Sequence, residues 1–234
     1  SSEFAPATSA VMKQLVKETF EEQYIRLIEG DGALVVPEMM NQFTFDHVFY
    51  TGSTAVGRII YKMAAERLVP VTLELGGKSP CIVEEDADIT IAARRIVMTK
   101  FSNAGQMCVA PDYVLVHASR KTALVAALIS TIQQFFGDRA DENYNYGKII
   151  NEKQFNRLKE YLDQGKIIHG GKTDLAKLFI EPTIMDDTGL NAPVMTEEIF
   201  GPILPVLPFN TYEEAREIIS KNPNQLALYV FTSS

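Results

Sequence analysis

The stretch Asp46-His47-Val48-Phe49-Tyr50, running on into Thr51-Gly52-Ser53-Thr54-Ala55-Val56-Gly57-Arg58, decides the fold class. Its first five residues are short, apolar and aromatic, as a buried strand requires. Gly52 and Ser53 end that run. The spacing then predicts a helix over 54–67, with Val56, Ile59, Ile60 and Met63 on one face. Two more short strands are expected at 71–75 and 81–83. Strand, helix and strand in this order argue for βαβ units in a parallel sheet.

The same rhythm extends both ways. Upstream, 9–23 is helical by pattern, with Val11, Leu15, Val16, Thr19 and Phe20 in phase and Ser9 as its N-cap. A short apolar run at 24–28 closes on Gly30-Asp31-Gly32. Downstream, helices are expected at 88–101, 121–136, 152–164 and 211–220, with Gly165 stopping the third. Thr211 followed by Glu214 reads as a capping box. Strands are expected at 113–116, 167–169, 179–180 and 204–209, and 226–231 is an apolar β-like run. The fold class is therefore α/β, with parallel strands and crossover helices. Both ends read as cut, because the chain opens on a helix with no strand before it and stops directly after a strand.

Composition narrows the function classes. The 234 residues are 46% hydrophobic and 22% charged, which suits a globular chain. Lys+Arg 22 against Asp+Glu 30 gives a net charge of -8, so there is no overall bias toward nucleic acid or anionic membranes. No apolar run has the ~18 residues a transmembrane helix needs. Two cysteines, Cys81 and Cys108, make no disulfide framework, and a reducing, cytoplasmic setting is expected.

Four stretches carry candidate chemistry. In the turn at 51–58, glycines and a hydroxyl between strand and helix allow backbone N–H groups to face an anion. Arg58 and Ile59 stand where a P-loop needs Lys and Ser/Thr, so a nucleotide triphosphatase is not expected. The same turn also suits a plain strand-to-helix connection. In Leu73-Glu74-Leu75-Gly76-Gly77-Lys78-Ser79-Pro80, Glu74 sits in an apolar strand, where burial raises a carboxyl toward general-base range. It also fits, and taken alone fits better, an edge-strand carboxylate facing water. In Phe101-Ser102-Asn103-Ala104-Gly105-Gln106-Met107-Cys108, the thiol follows a glycine bend and could be a nucleophile or a buried structural cysteine. Cys81, inside Pro80-Cys81-Ile82-Val83, fits the structural role. Finally, Glu197-Glu198-Ile199-Phe200-Gly201-Pro202 offers a carboxylate for hydroxyls and an aromatic for a planar ring.

In this order the stretches resemble the aldehyde dehydrogenase superfamily over essentially the whole chain. Leu-Glu-Leu-Gly-Gly-Lys-Ser-Pro and Gly-Gln-x-Cys, with 34 residues from Glu74 to Cys108, are specific in combination. Cys108-Val109-Ala110-Pro111-Asp112-Tyr113 points to the class-3-like branch. The resemblance implies that Cys108 is the nucleophile and Glu74 the base for the deacylating water. It implies that Gly52, Ser53 and Gly57 lie near a dinucleotide diphosphate. Glu198 would meet the nicotinamide-side ribose, with Phe200 beside the nicotinamide. Glu3 matches the acceptor on the adenine-side ribose, although the Lys of that family motif is absent and Ser1 stands where Pro is expected. The cofactor implied is NAD or NADP. NAD is favoured, since a carboxylate at Glu3 repels a 2′-phosphate. Asn103 does not match the family's oxyanion Asn and reads as structural.

The resemblance also divides the chain. Residues 1–76 would be the C-terminal part of a doubly wound dinucleotide-binding domain. Residues 77–234 would be the catalytic domain, incomplete at its C-terminus. Family chains run longer at both ends, so this one matches their central portion. Two functions are expected in turn: oxidation of an aldehyde, of long-chain or aromatic type, to an acid, or an inactive fragment retaining thiol esterase activity or an association role. A homo-oligomer is expected, because incomplete sheets leave strand edges unpaired.

Overall fold

The computed structural model describes residues 4–223 and 225–234. They form two compact units, one ending at Leu75 and one from Gly76 to Ser234.

The first unit holds α1 (Pro6–Thr19), α2 (Gly32–Gln42), β1 (Val48–Gly52), α3 (Thr54–Ala65) and β2 (Val71–Leu75). β1 and β2 pair in parallel from Val48 opposite Val71 to Gly52 opposite Leu75, with α3 as the crossover. α3 begins at its cap, where the Ser53 hydroxyl accepts the Val56 N–H at 3.4 Å. Its buried residues, Gly57, Ile60 and Ala64, fall three and four apart and form one stripe. Gly57 allows close helix–strand approach, because a Cβ there would lie 2.8 Å from Leu75 Cδ2.

Several expectations change in this unit. β1 spans Val48–Gly52, two residues on from 46–50, and none of its residues is buried. α3 ends at Ala65, not 67. α1 starts at Pro6, not 9, because proline's fixed φ suits a first helical position and needs no acceptor for an N–H. Ser9 is therefore a buried residue of the helix body, not its cap. The apolar run 24–28 is turn and coil, and the following helix α2 had no sequence prediction. Pro37 inside α2 masks it, since an interior proline removes one helix hydrogen bond. Asp31 starts α2 by accepting the Ala33 N–H at 2.9 Å.

The second unit runs β3 (Pro80–Val83), α4 (Ile89–Phe101), β4 (Tyr113–His117), α5 (Lys121–Phe136), α6 (Glu152–Tyr161), β5 (Lys166–His169), β6 (Thr173–Asp174), β7 (Phe179–Ile180), β8 (Thr183–Asp186), α7 (Pro193–Thr196), β9 (Ile203–Phe209), α8 (Tyr212–Ser220) and β10 (Tyr229–Phe231). The sheet order is β10-β3-β4-β9-β8-β5. Its strands are parallel except for β5, which runs antiparallel to β8. β6 and β7 form a separate antiparallel pair.

β4 is the strand on which the core is built. Tyr113, Val114, Leu115 and Val116 are all buried, as expected for a parallel strand covered on both faces. α4 packs on α5, burying Ala92, Ala93, Ile96 and Val97 from one and Leu124, Leu128 and Ile132 from the other. Each buried Leu, Ile or Val contributes about 1.5–3 kcal/mol relative to exposure. Asp88 caps α4 by accepting the Thr90 and Ile91 N–H groups.

At α8 the Thr211 hydroxyl accepts the Glu214 N–H at 3.3 Å, but Glu214 reaches the Asn210 N–H at 2.8 Å, one residue before the cap. α6 ends at Tyr161, short of 164, and β10 covers only part of 226–231. β6, β8 and α7 lack sequence predictions, being only two to four residues long. Among the described residues, no helix is long and apolar enough to cross a membrane.

Candidate active site

Cys108 lies on the loop between α4 and β4 and is exposed, whereas Cys81 is buried in β3. Burial pushes the Cys81 thiol far up, because no charge compensates an ionised sulfur there. A backbone reversal sets the Cys108 loop. Asn103, Ala104 and Gly105 follow one another at φ 50°, 52° and 73°, all left-handed. Such backbone is free for Gly, tolerated by Asn and unfavourable for Ala, so packing must hold Ala104 in it. Ala104 and Gly105 are both buried. A Cβ on Gly105 would fall 2.2 Å from the Gly201 carbonyl oxygen, so only glycine permits this approach.

Gln106 is the strut of the loop, a role that sequence reasoning left unassigned. Its amide nitrogen donates to the Asn103 carbonyl at 2.9 Å and to the Lys148 carbonyl at 2.8 Å. Its amide oxygen accepts the Ile150 N–H at 2.9 Å. Asn103 donates back to the Gln106 carbonyl at 3.2 Å, which makes Asn103 a structural member of the turn. Beyond the thiol, the Tyr229 hydroxyl donates to the Val109 carbonyl at 2.5 Å.

The Gly105–Gly201 approach brings a second predicted segment to the Cys108 loop. Arg157 grips this segment from α6, donating to the carbonyls of Glu198 at 3.1 Å and Ile199 at 2.7 Å. It also donates to the Tyr161 hydroxyl at 2.9 Å, which donates onward to the Glu197 carboxylate at 2.7 Å. Burial and that Glu197 bond push the Tyr161 phenol up to about 12. Phe200 follows at φ 46°, rare for an aromatic, and remains partly exposed. The Glu198 carboxyl is half-buried and accepts the Gly77 N–H. A Cβ on Gly76 would lie 2.1 Å from both of its oxygens. Burial and the nearby Asp112 carboxylate raise its pKa, while Arg157 and Lys100 draw it back.

Beneath these segments sits a buried ion pair. The Lys78 ammonium donates to the Asp112 carboxylate, to Val194 O at 2.7 Å and to Glu197 O at 3.0 Å. The other Asp112 oxygen accepts the Ile199 N–H at 3.0 Å. Lys78 and Asp112 fall in the Gly-Gly-Lys-Ser-Pro and Cys108–Tyr113 stretches, where sequence pattern alone assigns neither a role. Lys100 is also fully buried, and among the described residues its Nζ has no hydrogen-bond partner. One sequence signal could have found it: a lysine in phase with Ala92, Ala93, Ile96 and Val97 on the apolar stripe of α4.

The remaining candidates lie in the first unit. Glu74 stands in β2 opposite Thr51 and is exposed, so burial of its carboxyl does not occur in this unit. Gly52 and Ser53 form the turn from β1 into α3, whose first turn carries backbone N–H groups without intrahelical acceptors. Glu3 lies outside the described residues.

A parallel α/β fold, an exposed thiol on a Gly-Gln-x-Cys loop and a half-buried glutamate against a double glycine define one class of protein. The sequence model of the aldehyde dehydrogenase family matches residues 1–234, and the chain belongs to that family. It is 46% identical over 233 residues to the 4,4'-diaponeurosporen-aldehyde dehydrogenase of Staphylococcus aureus, covering 99% of this chain and 50% of that protein. It is 44% identical over 215 residues to the dimeric NADP-preferring aldehyde dehydrogenase of Rattus norvegicus, covering 92% of this chain and 47% of that protein. The structure superposes on Staphylococcus aureus AldH in its substrate-bound state with TM-score 0.92 at 45% identity, covering 100% of this chain and 51% of that one. For the NAD-dependent aldehyde dehydrogenase of Sinorhizobium meliloti the TM-score is 0.90 at 30% identity, covering 100% and 48%. The chain thus spans about half the length of the curated relatives it matches.

Proposed function

We propose that this chain carries the nucleophile, the deacylating base and part of the cofactor site of an NAD(P)-dependent aldehyde dehydrogenase. The exposure of Cys108 on a strained, braced loop supports this reading. The Cys108 thiolate attacks the aldehyde carbonyl carbon, forming a C–S bond as the carbonyl electrons move to oxygen. The Cys108 N–H is an oxyanion donor, and each such donor contributes about 3–4 kcal/mol. A nicotinamide ring held beside Phe200 would supply the hydride acceptor, so that loss of hydride from the former aldehyde carbon leaves a Cys108 thioester. Water then attacks the thioester, Glu74 takes its proton, the C–S bond breaks, and acid and thiolate separate.

The residues present fit a dinucleotide. The first turn of α3 offers N–H groups to a diphosphate. The half-buried Glu198 carboxyl suits ribose hydroxyls, and the partly exposed Phe200 ring suits a nicotinamide face. NAD in preference to NADP rests on Glu3, and the substrate is an aldehyde of long-chain or aromatic type. The setting is cytoplasmic.

The test uses a nitrophenyl ester, which acylates Cys108 without cofactor. Wild type releases a burst of nitrophenol and then turns over. Glu74→Gln keeps the burst and slows the steady state. Loss of the burst in Glu74→Gln, or a burst that survives Cys108→Ser, overturns the assignment. Formation of reduced nicotinamide from an aldehyde tests the full reaction.

A second reading has its own observation. Tyr24 is 77% exposed, Leu34 72% and Phe49 65%, large apolar side chains of the kind that association would cover. On this reading the chain is a homo-oligomer with esterase activity at most. Light scattering that shows oligomers, with no reduced nicotinamide formed, supports it.

A further inference from the structure

Phe200 adopts φ 46°, a left-handed value that an aromatic side chain rarely takes. The peptide between Ile199 and Phe200 decides that angle. A half-turn of this planar unit about its Cα–Cα line would bring Phe200 into the extended region and point the Ile199 carbonyl the opposite way. The strained orientation persists only if its surroundings hold that carbonyl in place.

Arg157 of α6 makes the contact. Its Nη2 donates to the Ile199 carbonyl at 2.7 Å and its Nη1 to the Glu198 carbonyl at 3.1 Å, so one guanidinium spans two successive carbonyls. A charged donor makes these bonds roughly twice as strong as neutral ones. The guanidinium is itself braced within α6. Its Nε donates to Gln154 Oε1 at 2.8 Å, its Nη1 to the Tyr161 hydroxyl at 2.9 Å, and it lies 5.3 Å from the Tyr161 ring centroid. The residues on either side of Phe200 are anchored independently. The Ile199 side chain is fully buried and its N–H donates to Asp112 at 3.0 Å. Gly201 packs on α6, where a Cβ would lie 2.4 Å from Leu158 Cδ2.

We propose that Arg157 is a positioning residue for Phe200: its bond to the Ile199 carbonyl holds the 199–200 peptide in the orientation that keeps Phe200 left-handed and fixes where its ring is presented. The consequence for the reaction rests on the cofactor reading, in which the partly exposed Phe200 ring meets the nicotinamide. With the peptide turned, the ring would leave the backbone in another direction and that face would be lost.

The test needs no turnover. Glycine is favoured over alanine at a left-handed φ and disfavoured in extended backbone. Phe200→Gly and Phe200→Ala are therefore compared by urea midpoint, in the wild-type background and in Arg157→Met. In the wild-type background Phe200→Gly has the higher midpoint. In Arg157→Met the order reverses, because the peptide has turned. An arginine that only packed would, on removal, lower both midpoints and keep their order, and that result overturns the proposal. Should Arg157→Met not fold, Arg157→Lys keeps a cation without the planar fork. There the advantage of glycine shrinks, and an undiminished advantage overturns the proposal. NAD fluorescence titration separates the two readings. If Phe200→Ala binds NAD as wild type does while the order reverses in Arg157→Met, the ring contact fails and the positioning stands.

Discussion

Lys78 and Asp112 form a buried ion pair that joins the Gly-Gly-Lys-Ser-Pro segment to the segment following Cys108. The pair also fixes the backbone of the Glu198 segment, through Val194 O, Glu197 O and the Ile199 N–H. One interaction therefore holds three stretches of sequence that are far apart in the chain.

Asp112→Asn is expected to destabilise the second unit by about 3–5 kcal/mol, the cost of leaving one buried charge uncompensated. Urea unfolding followed by circular dichroism measures it. A loss under about 1 kcal/mol, the range of exposed pairs, would mean that Lys78 finds another anion.

Iodoacetamide is expected to modify Cys108 well before Cys81. Cys108 is exposed, while Cys81 is fully buried and burial holds its thiol protonated. Peptide mapping against time decides it, and faster labelling at Cys81 would sink the assignment.

Gln106→Ala removes all three side-chain bonds of the strut and strands the Ile150 N–H and the Lys148 carbonyl. The expected loss is about 0.5–1.5 kcal/mol, the net contribution of a hydrogen bond whose partners water can reach. Hydrogen exchange at Ile150 should accelerate, and the Cys108 labelling rate should change with it. Gln106→Glu keeps an acceptor for Ile150 but loses both donors, so it should protect Ile150 and still loosen Asn103.

Lys100 gives stability a pH dependence of known sign. Burial, opposed by Asp112 and Glu198, lowers its pKa from 10.5 to about 8. Within that window the unfolded chain holds a proton that the folded chain lacks, so stability rises with pH. Below the window folding carries the whole penalty, on the order of 3 kcal/mol for a shift of this size. Lys100→Met should therefore be more stable than wild type at neutral pH, with the gap closing toward pH 10.5. A gap that stays constant across the window would show that Lys100 does not titrate there.

Local signals were legible in the sequence wherever a short stretch decides its own conformation. The strand at 71–75 and the helix at 121–136 have the bounds that apolar pattern and turn residues indicated. Asp88 and Thr211 cap the helices they precede, because a cap depends on the next three residues alone. The Gly-Gln-x-Cys and Gly-Gly-Lys-Ser-Pro stretches could be found for the same reason, as contiguous residues. α2 was not legible, because Pro37 breaks the pattern that its packing restores.

Tertiary structure alone decided what each polar side chain meets. Nothing local tells an exposed Glu74 from a half-buried Glu198, or a Lys78 with three acceptors from a Lys100 with none among the described residues. Burial and partnership depend on segments that converge only once the sheet forms, such as Glu198 on Gly76 and Gly201 on Gly105. Residue types and their spacing thus determined the family and its candidate chemistry. The charge state and placement of the groups that perform it were set by long-range packing, because electrostatic cost depends on surroundings that the chain acquires only by folding.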